Sequence, residues 1–330
     1  MLPAVPQPKP TPPKVQPEVP QPVIPVPPSR PIPKPSPELP PLGGFPRPVQ
    51  NVFEAQLALA RLGISSGSID GRIGLQTRAA LRAFQQKERL PVTGGLDPAT
   101  KERLLLAAAP YATYTVTTDD QARLQPLSPT WLGKSQQTAL DYETILELVA
   151  EKSHSHPSLI RQLNPSVDWA NVAAGTTLQV PDVAYTDPGA KAAFVTISLD
   201  SKVLEAFDAN TNLLAHFPCS IARRVEKRPV GELHVAAIAP NPNYTFDPDL
   251  FPESAEARQL KAKLILPPGP NNPVGVAWIS LDKPGYGIHG TPSPEQVGRT
   301  ESHGCFRLAN WNAEHLIKLV WVGMPVYVEP

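Results

Sequence analysis

Cys305 is one of only two cysteines in a 330-residue chain. It lies in the run Glu301-Ser302-His303-Gly304-Cys305-Phe306-Arg307, where its only large apolar neighbour is Phe306. That is a poor setting for a packed structural thiol and a good one for a reactive thiol. A free cysteine is mostly protonated at neutral pH, so a nucleophilic one needs a base or a positive surrounding within hydrogen-bond reach. Histidine is the usual partner, and two are near. His303 would share a face with Cys305 only on an extended segment. His289 ends the strand-like run Gly285-Tyr286-Gly287-Ile288-His289, and the loop after it, with Pro292, Pro294 and Gly298, is able to carry the chain round so that Ser302–Cys305 comes alongside. Gly304 would permit a tight bend before the thiol, letting the amides of His303, Gly304 and Cys305 converge on an oxyanion. Arg307 offers a planar fork suited to a carboxylate. Together these residues describe acyl transfer from a substrate that carries a carboxylate.

The same residues admit a metal reading, with His289, His303 and Cys305 as zinc ligands and Cys219 or His315 as a fourth. No CxxC or HExxH spacing accompanies it, and no metal or cofactor is expected. Cys219, in His-Phe-Pro-Cys-Ser, reads as a packed small hydrophobe. His154 and His156, in Ser-His-Ser-His-Pro, read as a solvated turn between two helices.

The elements that must position this site are strands. Residues 185–330 contain Ala193–Asp208, Glu232–Pro240, Val276–Leu281 and Met324–Pro330 as strand-like runs and one clear helix, Asn310–Trp321, so this part is expected to be mainly β. The two stretches Ile288-His289-Gly290-Thr291 and Ser302-His303-Gly304-Cys305-Phe306-Arg307-Leu308 resemble the signature of L,D-transpeptidase catalytic domains. Arg228–Val235 and Pro267–Ile279 resemble that family too. Phe306 departs mildly from it, where Ile or Val is commoner. The resemblance implies that Cys305 is the nucleophile and that His289 is general base and acid, oriented through its other nitrogen by a backbone carbonyl such as that of Gly290. It implies an oxyanion hole of amides around Gly304, with Ser302, His303 and Arg307 shaping the site and holding the donor peptide. The implied reaction attacks a stem tetrapeptide at its diamino acid, releases D-alanine, forms a thioester and passes the acyl group to an amine. The acceptor would be a second stem or a protein of the cell wall or outer membrane. Two rivals share the fold: an L,D-carboxypeptidase that uses water as acceptor, and a non-catalytic wall-binding protein.

Upstream, residues 49–109 read as three short helices. Phe53 and Leu57 share a face of the first, which ends at Gly63. Thr77, Ala80, Leu81 and Phe84 recur at helical spacing in the second, and Asp97-Pro98 opens the third as cap and first residue. Gln56-Leu57, Ile69-Asp70-Gly71, Phe84-Gln85, Thr93-Gly94 and Leu96-Asp97 resemble a three-helix peptidoglycan-binding domain. Residues 110–184 run strand, helix, helix, strand, with Tyr114–Thr117 and Thr176–Val183 as the strands. They resemble a LysM module, a glycan-binding fold, but an insertion of roughly Asp119–Leu140 separates first strand from first helix.

The whole is a multidomain α+β chain: a proline-rich tether over 1–48, the three-helix bundle over 49–109, the βααβ module over 110–184 and the mainly-β catalytic domain over 185–330. Of 44 prolines, 20 lie in residues 1–48, a composition that gives an extended polyproline-type tether. The formal net charge is +0, which argues against nucleic acid as a partner. No apolar run of membrane-spanning length occurs. Peptidoglycan, both glycan strands and stem peptides, is the partner that all three blocks imply. An extracytoplasmic location follows from that, with an export signal expected upstream of a chain that opens directly into proline repeats.

Overall fold

The computed structural model describes residues 44–183, 189–251, 254–260, 262–299 and 304–330. Most of the expected tether lies outside these residues, as do Ser302 and His303 of the expected site.

The first block opens with a short strand β1 (Arg47–Pro48), then α1 (Val52–Arg61), α2 (Leu75–Lys87) and α3 (Pro98–Arg103), and closes with β2 (Leu105–Leu106), which pairs antiparallel with β1. Asn51 caps α1 and Asp97 caps α3 with Pro98 at its first position, as such residues do. Two features differ from the sequence reading. Arg47 and Pro48, assigned to the tether, are already structured, because Arg47 makes a two-pronged contact with Glu54 at 2.8 and 2.7 Å. The third helix stops before Leu104–Leu106, because those residues alternate buried, exposed, buried against β1.

Two buried glutamines tie this block together. The Gln56 amide donates to Asp70, to the Arg72 carbonyl and to Thr77, while its oxygen accepts from the Asp70 and Gly71 amides. Gln85 donates to Thr93, the Gly95 carbonyl and Thr100, and accepts from the Gly94 amide. A buried amide costs free energy unless it is satisfied in this way. The helical pattern alone explains neither glutamine; the turns they hold do.

The second block runs β3 (Tyr111–Thr115), α4 (Thr118–Ala122), α5 (Trp131–Ser135), α6 (Ile145–Lys152), α7 (Pro157–Leu163) and β4 (Thr177–Pro181), with β3 and β4 antiparallel. The inserted segment supplies α4 and α5. Its Trp131 ring stacks on Phe246 of the third block at 4.3 Å, and Leu127, Trp131 and Leu140 share a core with Phe246 and Leu266.

The third block contains β5 (Phe194–Ser198), β6 (Val203–Phe207), β7 (Leu213–Pro218), β8 (Gly231–Pro240), β9 (Tyr244–Phe246), β10 (Leu264–Leu266), β11 (Ala277–Leu281), β12 (Gly287–His289), β13 (Phe306–Arg307), α8 (Asn310–Leu319) and β14 (Pro325–Glu329). Eight strands form one sheet in the order β13-β12-β11-β8-β14-β5-β6-β7, while β9 and β10 make a separate hairpin. The long strand β8 passes from β14 to β11 along its length. The sheet then curls until its ends meet. Ser220, just past β7, exchanges both backbone hydrogen bonds with Arg307 of β13, at 2.9 and 3.0 Å. Helix α8 packs on the same core as β5–β8 and β11–β14, with Leu316 and Leu319 fully buried.

Candidate active site

The site lies at the seam where the sheet closes. Strands β12 and β13 are parallel neighbours, with Ile288 beside Phe306 and His289 beside Arg307. Ile288 and Phe306 are each 1% exposed and face the core. Side chains alternate along a strand, so Gly287, His289, Cys305 and Arg307 fall on the opposite face. The loop from Gly290 is thus a crossover that returns parallel to β12. Of the sequence-predicted site residues, Cys305, His289, Gly290 and Arg307 are brought together here; Ser302 and His303 lie outside the described residues.

His289 Nδ1 lies 2.6 Å from the Gly290 carbonyl. That contact assigns the proton to Nδ1, which donates, and leaves Nε2 as the acceptor. Burial pushes the imidazole down to about 4; the Gly290 carbonyl opposes the shift and Arg307 adds to it. His289 is therefore neutral at pH 7. Burial also pushes the Cys305 thiol up, against the Gly287 amide and the Arg307 charge. Its Sγ donates to the Gly285 carbonyl at 3.6 Å. Both shifts favour the uncharged forms, a thiol and a neutral imidazole.

Two further residues, Trp278 and Asn310, hold this arrangement, neither of them singled out by sequence. Trp278 on β11 sits in register with His289 and stacks on its ring at 5.5 Å. Gly287 makes that possible, because a Cβ there would stand 2.6 Å from the Trp278 ring. Asn310 opens α8. Its side-chain oxygen accepts from the Thr291 amide at 3.0 Å, and its NH2 donates to the Pro270 carbonyl and to both oxygens of Glu151. A Cβ at Gly290 would stand 2.2 Å from that Asn310 oxygen, so the His-Gly-Thr turn and Asn310 fit only with glycine between them. Tyr244 on β9 stands within electrostatic reach of both Cys305 and Arg307. The signal for Gly287 and Gly290 was present in the Gly-Ile-His-Gly run. Asn310 and Glu151 gave none, since their contact joins residues far apart in the chain.

Gly304 lies in a bend of the chain next to Cys305, as expected. Its φ is not in the left-handed region, and among the described residues nothing stands within 4 Å of where its Cβ would be. The bend at Gly304 thus uses no left-handed backbone.

The other candidate ligands lie elsewhere. Cys219 is fully buried in the core, and burial pushes its thiol up. No disulfide joins Cys219 to Cys305. His315 packs edge-on against Phe217. Among the described residues, no cluster of three or more His, Cys, Asp or Glu could hold a metal ion. The turn at 154–156 is not solvated as expected: His154 is buried and stacks on Trp311 of α8 at 5.2 Å, while His156 caps α7 by accepting from the Ser158 amide.

A cleft of about 470 Å³ opens beside Arg307, between the third block and the inserted segment. Its wall includes Thr291, two residues past His289. Gln76 of α2 donates to the Val297 carbonyl in the crossover loop, so all three blocks touch the site's surroundings.

Comparison with known proteins gives two family matches. Residues 192–328 match the family described as "L,D-transpeptidase catalytic domain", and residues 48–104 match "Putative peptidoglycan binding domain". The chain is 25% identical over 188 residues to "Putative L,D-transpeptidase YkuD" of Bacillus licheniformis, covering 57% of this chain and 94% of that protein. It is 35% identical over 105 residues to "Putative L,D-transpeptidase YqjB" of Bacillus subtilis, covering 30% and 51%. A solved L,D-transpeptidase from Xylanimonas cellulosilytica aligns at 14% identity with a TM-score of 0.36, covering 87% of this chain and 100% of that one.

Proposed function

We propose that this chain, whose residues 192–328 belong to the L,D-transpeptidase catalytic domain family and whose residues 48–104 belong to the peptidoglycan binding domain family, is a cysteine L,D-transpeptidase acting on peptidoglycan stem peptides in an extracytoplasmic space. The observation that carries the reading is one sheet face shared by Cys305, His289 and Arg307, with His289 Nδ1 tied to the Gly290 carbonyl.

The steps follow from those atoms. Cys305 Sγ leaves the Gly285 carbonyl and gives its proton to His289 Nε2 as it attacks the amide carbon of the diamino acid. The oxyanion is stabilised by backbone amides around Gly304. The imidazolium returns the proton to the departing nitrogen, and D-alanine leaves, with a thioester on Cys305. An acceptor amine then attacks the thioester carbon, His289 takes its proton, and the thiolate departs and is reprotonated. Arg307 grips a donor carboxylate through its planar fork. The 111–181 block is read as a LysM-like module that, with the peptidoglycan-binding block, keeps stems near the site.

The test is mass spectrometry of products from purified disaccharide-tetrapeptide. A cross-linked dimer lacking one D-alanine supports transfer. A tripeptide alone means that water is the acceptor. Neither product from a folded chain sinks the catalytic reading.

A further inference from the structure

The cleft beside Arg307 has a wall that the catalytic block does not supply. On one side stand Ser220, Thr291, Gln296 and Arg307; on the other stand Trp131 and Lys134, from the segment inserted between β3 and α6. That segment is docked firmly. The backbone amides of Trp131 and Leu132 both donate to the Glu256 carboxylate at 3.0 Å. The Trp131 ring stacks on the fully buried Phe246, and the Lys134 ammonium stands over the Trp131 ring at 5.5 Å. A lysine is usually a floppy point charge; here its stem rides on an aromatic ring that is itself fixed.

The chemistry of the lining is one-sided. It carries two cations, Lys134 and Arg307, with hydroxyl and amide groups between them, and among the described residues no acidic side chain. A volume of about 470 Å³ falls in the range of sites that enclose small ligands. Such a cleft suits a short peptide with more than one carboxylate. A stem peptide that ends in a D-amino acid and carries a second carboxylate on its diamino acid is of that kind.

We infer that Lys134 is a second carboxylate anchor for the stem peptide, so that the inserted segment of the middle block selects the substrate of the catalytic block. This rests on the reading of the chain as a stem-peptide transferase. Because the ammonium meets a partly exposed cleft, its contribution is modest and falls with salt.

The experiment measures binding calorimetrically to the full chain carrying Cys305→Ala, so that no turnover intervenes. The probes are disaccharide-tetrapeptide and the same compound with its carboxyls amidated. Adding Lys134→Ala should weaken binding of the acidic probe about fivefold and of the amidated probe less than twofold, with an unchanged thermal midpoint. Lys134→Arg should retain most of the affinity, and Lys134→Glu should lose more than Lys134→Ala. Equal loss with both probes, no loss with either, or no binding of either probe before Lys134 is changed overturns the anchor. Product formation by the wild type is scored separately. A dimer without Lys134-dependent binding removes the anchor alone; Lys134-dependent binding with neither dimer nor tripeptide removes the transferase reading and leaves the anchor standing.

Discussion

A thiol raised by burial beside an imidazole lowered by burial has a definite pH signature. His289 is held near 4, so it stays a competent base as pH falls from 7 and is lost only below about 5. A free histidine would already fail near its ordinary 6.5. Acylation of Cys305 by substrate should therefore show its acid limb near pH 4, and His289→Ala should remove that limb together with most of the rate, on the order of 100-fold or more. Simple alkylation by iodoacetamide answers to the thiolate alone, so it should keep rising above pH 8 without an earlier plateau. A plateau near neutrality would mean a preformed ion pair. The same reagent should add one equivalent to the intact protein and none to Cys305→Ala, because Cys219 is sealed in the core. Gly304→Ala separates fold from chemistry: with open space at its Cβ, the variant should fold with an unchanged midpoint. A loss of turnover in that variant would then report on how amides near the thiol meet substrate.

At the scale of elements, the contact between α6 and α8 decides how the His289-Gly290-Thr291 turn is held. Glu151 accepts from Asn310, and Asn310 accepts from the Thr291 amide. Burial pushes the Glu151 carboxyl up to about 8, above its unfolded value of 4.5. The folded state therefore holds a proton that the unfolded state has released, and this stability is present below pH 4.5 and lost as pH rises toward 8. His289 and His154 shift the other way, to about 4 and about 3. They weaken the fold only as pH drops below their unfolded value of 6.5, so the window from 6.5 to 8 isolates Glu151 from them. Between those values wild-type stability should decline by about 1–2 kcal/mol, and Glu151→Gln should flatten that decline in urea titrations. Asn310→Ala strands the buried Thr291 amide and should cost about 1–3 kcal/mol. Some elements were legible in sequence: the Asp97-Pro98 start of α3 and the strand-like run that ends at His289 are local signals. Cys305 stood out in the sequence because the chain has only two cysteines, and His289 because it ends a strand-like run. Trp278, Asn310 and Glu151 did not, because each acts across strands or blocks, and a linear pattern carries no record of which distant face a polar residue will meet. His154 misled for the same reason. A histidine in a Ser-His-Ser-His turn looks solvated until Trp311 covers it.

Among the described residues the three blocks are packed against one another. The sheet's outer strand β7 would present an unpaired edge, the usual route to unwanted pairing. The first block covers it: the Ser65 amide donates to the His216 carbonyl at 2.8 Å, and the His216 amide donates to the Gly63 carbonyl at 3.0 Å. Lys87 adds a bond to the Leu213 carbonyl, and Asn312 of α8 donates to Ser65. Leu213 itself is buried in the first block's core. A block that matches a peptidoglycan-binding family and also seals a sheet edge of the third block contributes to stability. The expected consequence is one cooperative thermal transition for the chain, without a separate melting of the first block. A fragment beginning at residue 110 should melt several degrees lower and associate through the uncovered strand, as read by calorimetry and light scattering. Placing a charge on that strand, for instance Leu214→Lys in the fragment, should reduce the association without restoring the midpoint, because it blocks edge pairing but leaves the Leu213 contact missing. Two separate transitions in the intact chain, or a fragment as stable and monomeric as the whole, would reduce the first block to a tethered binder.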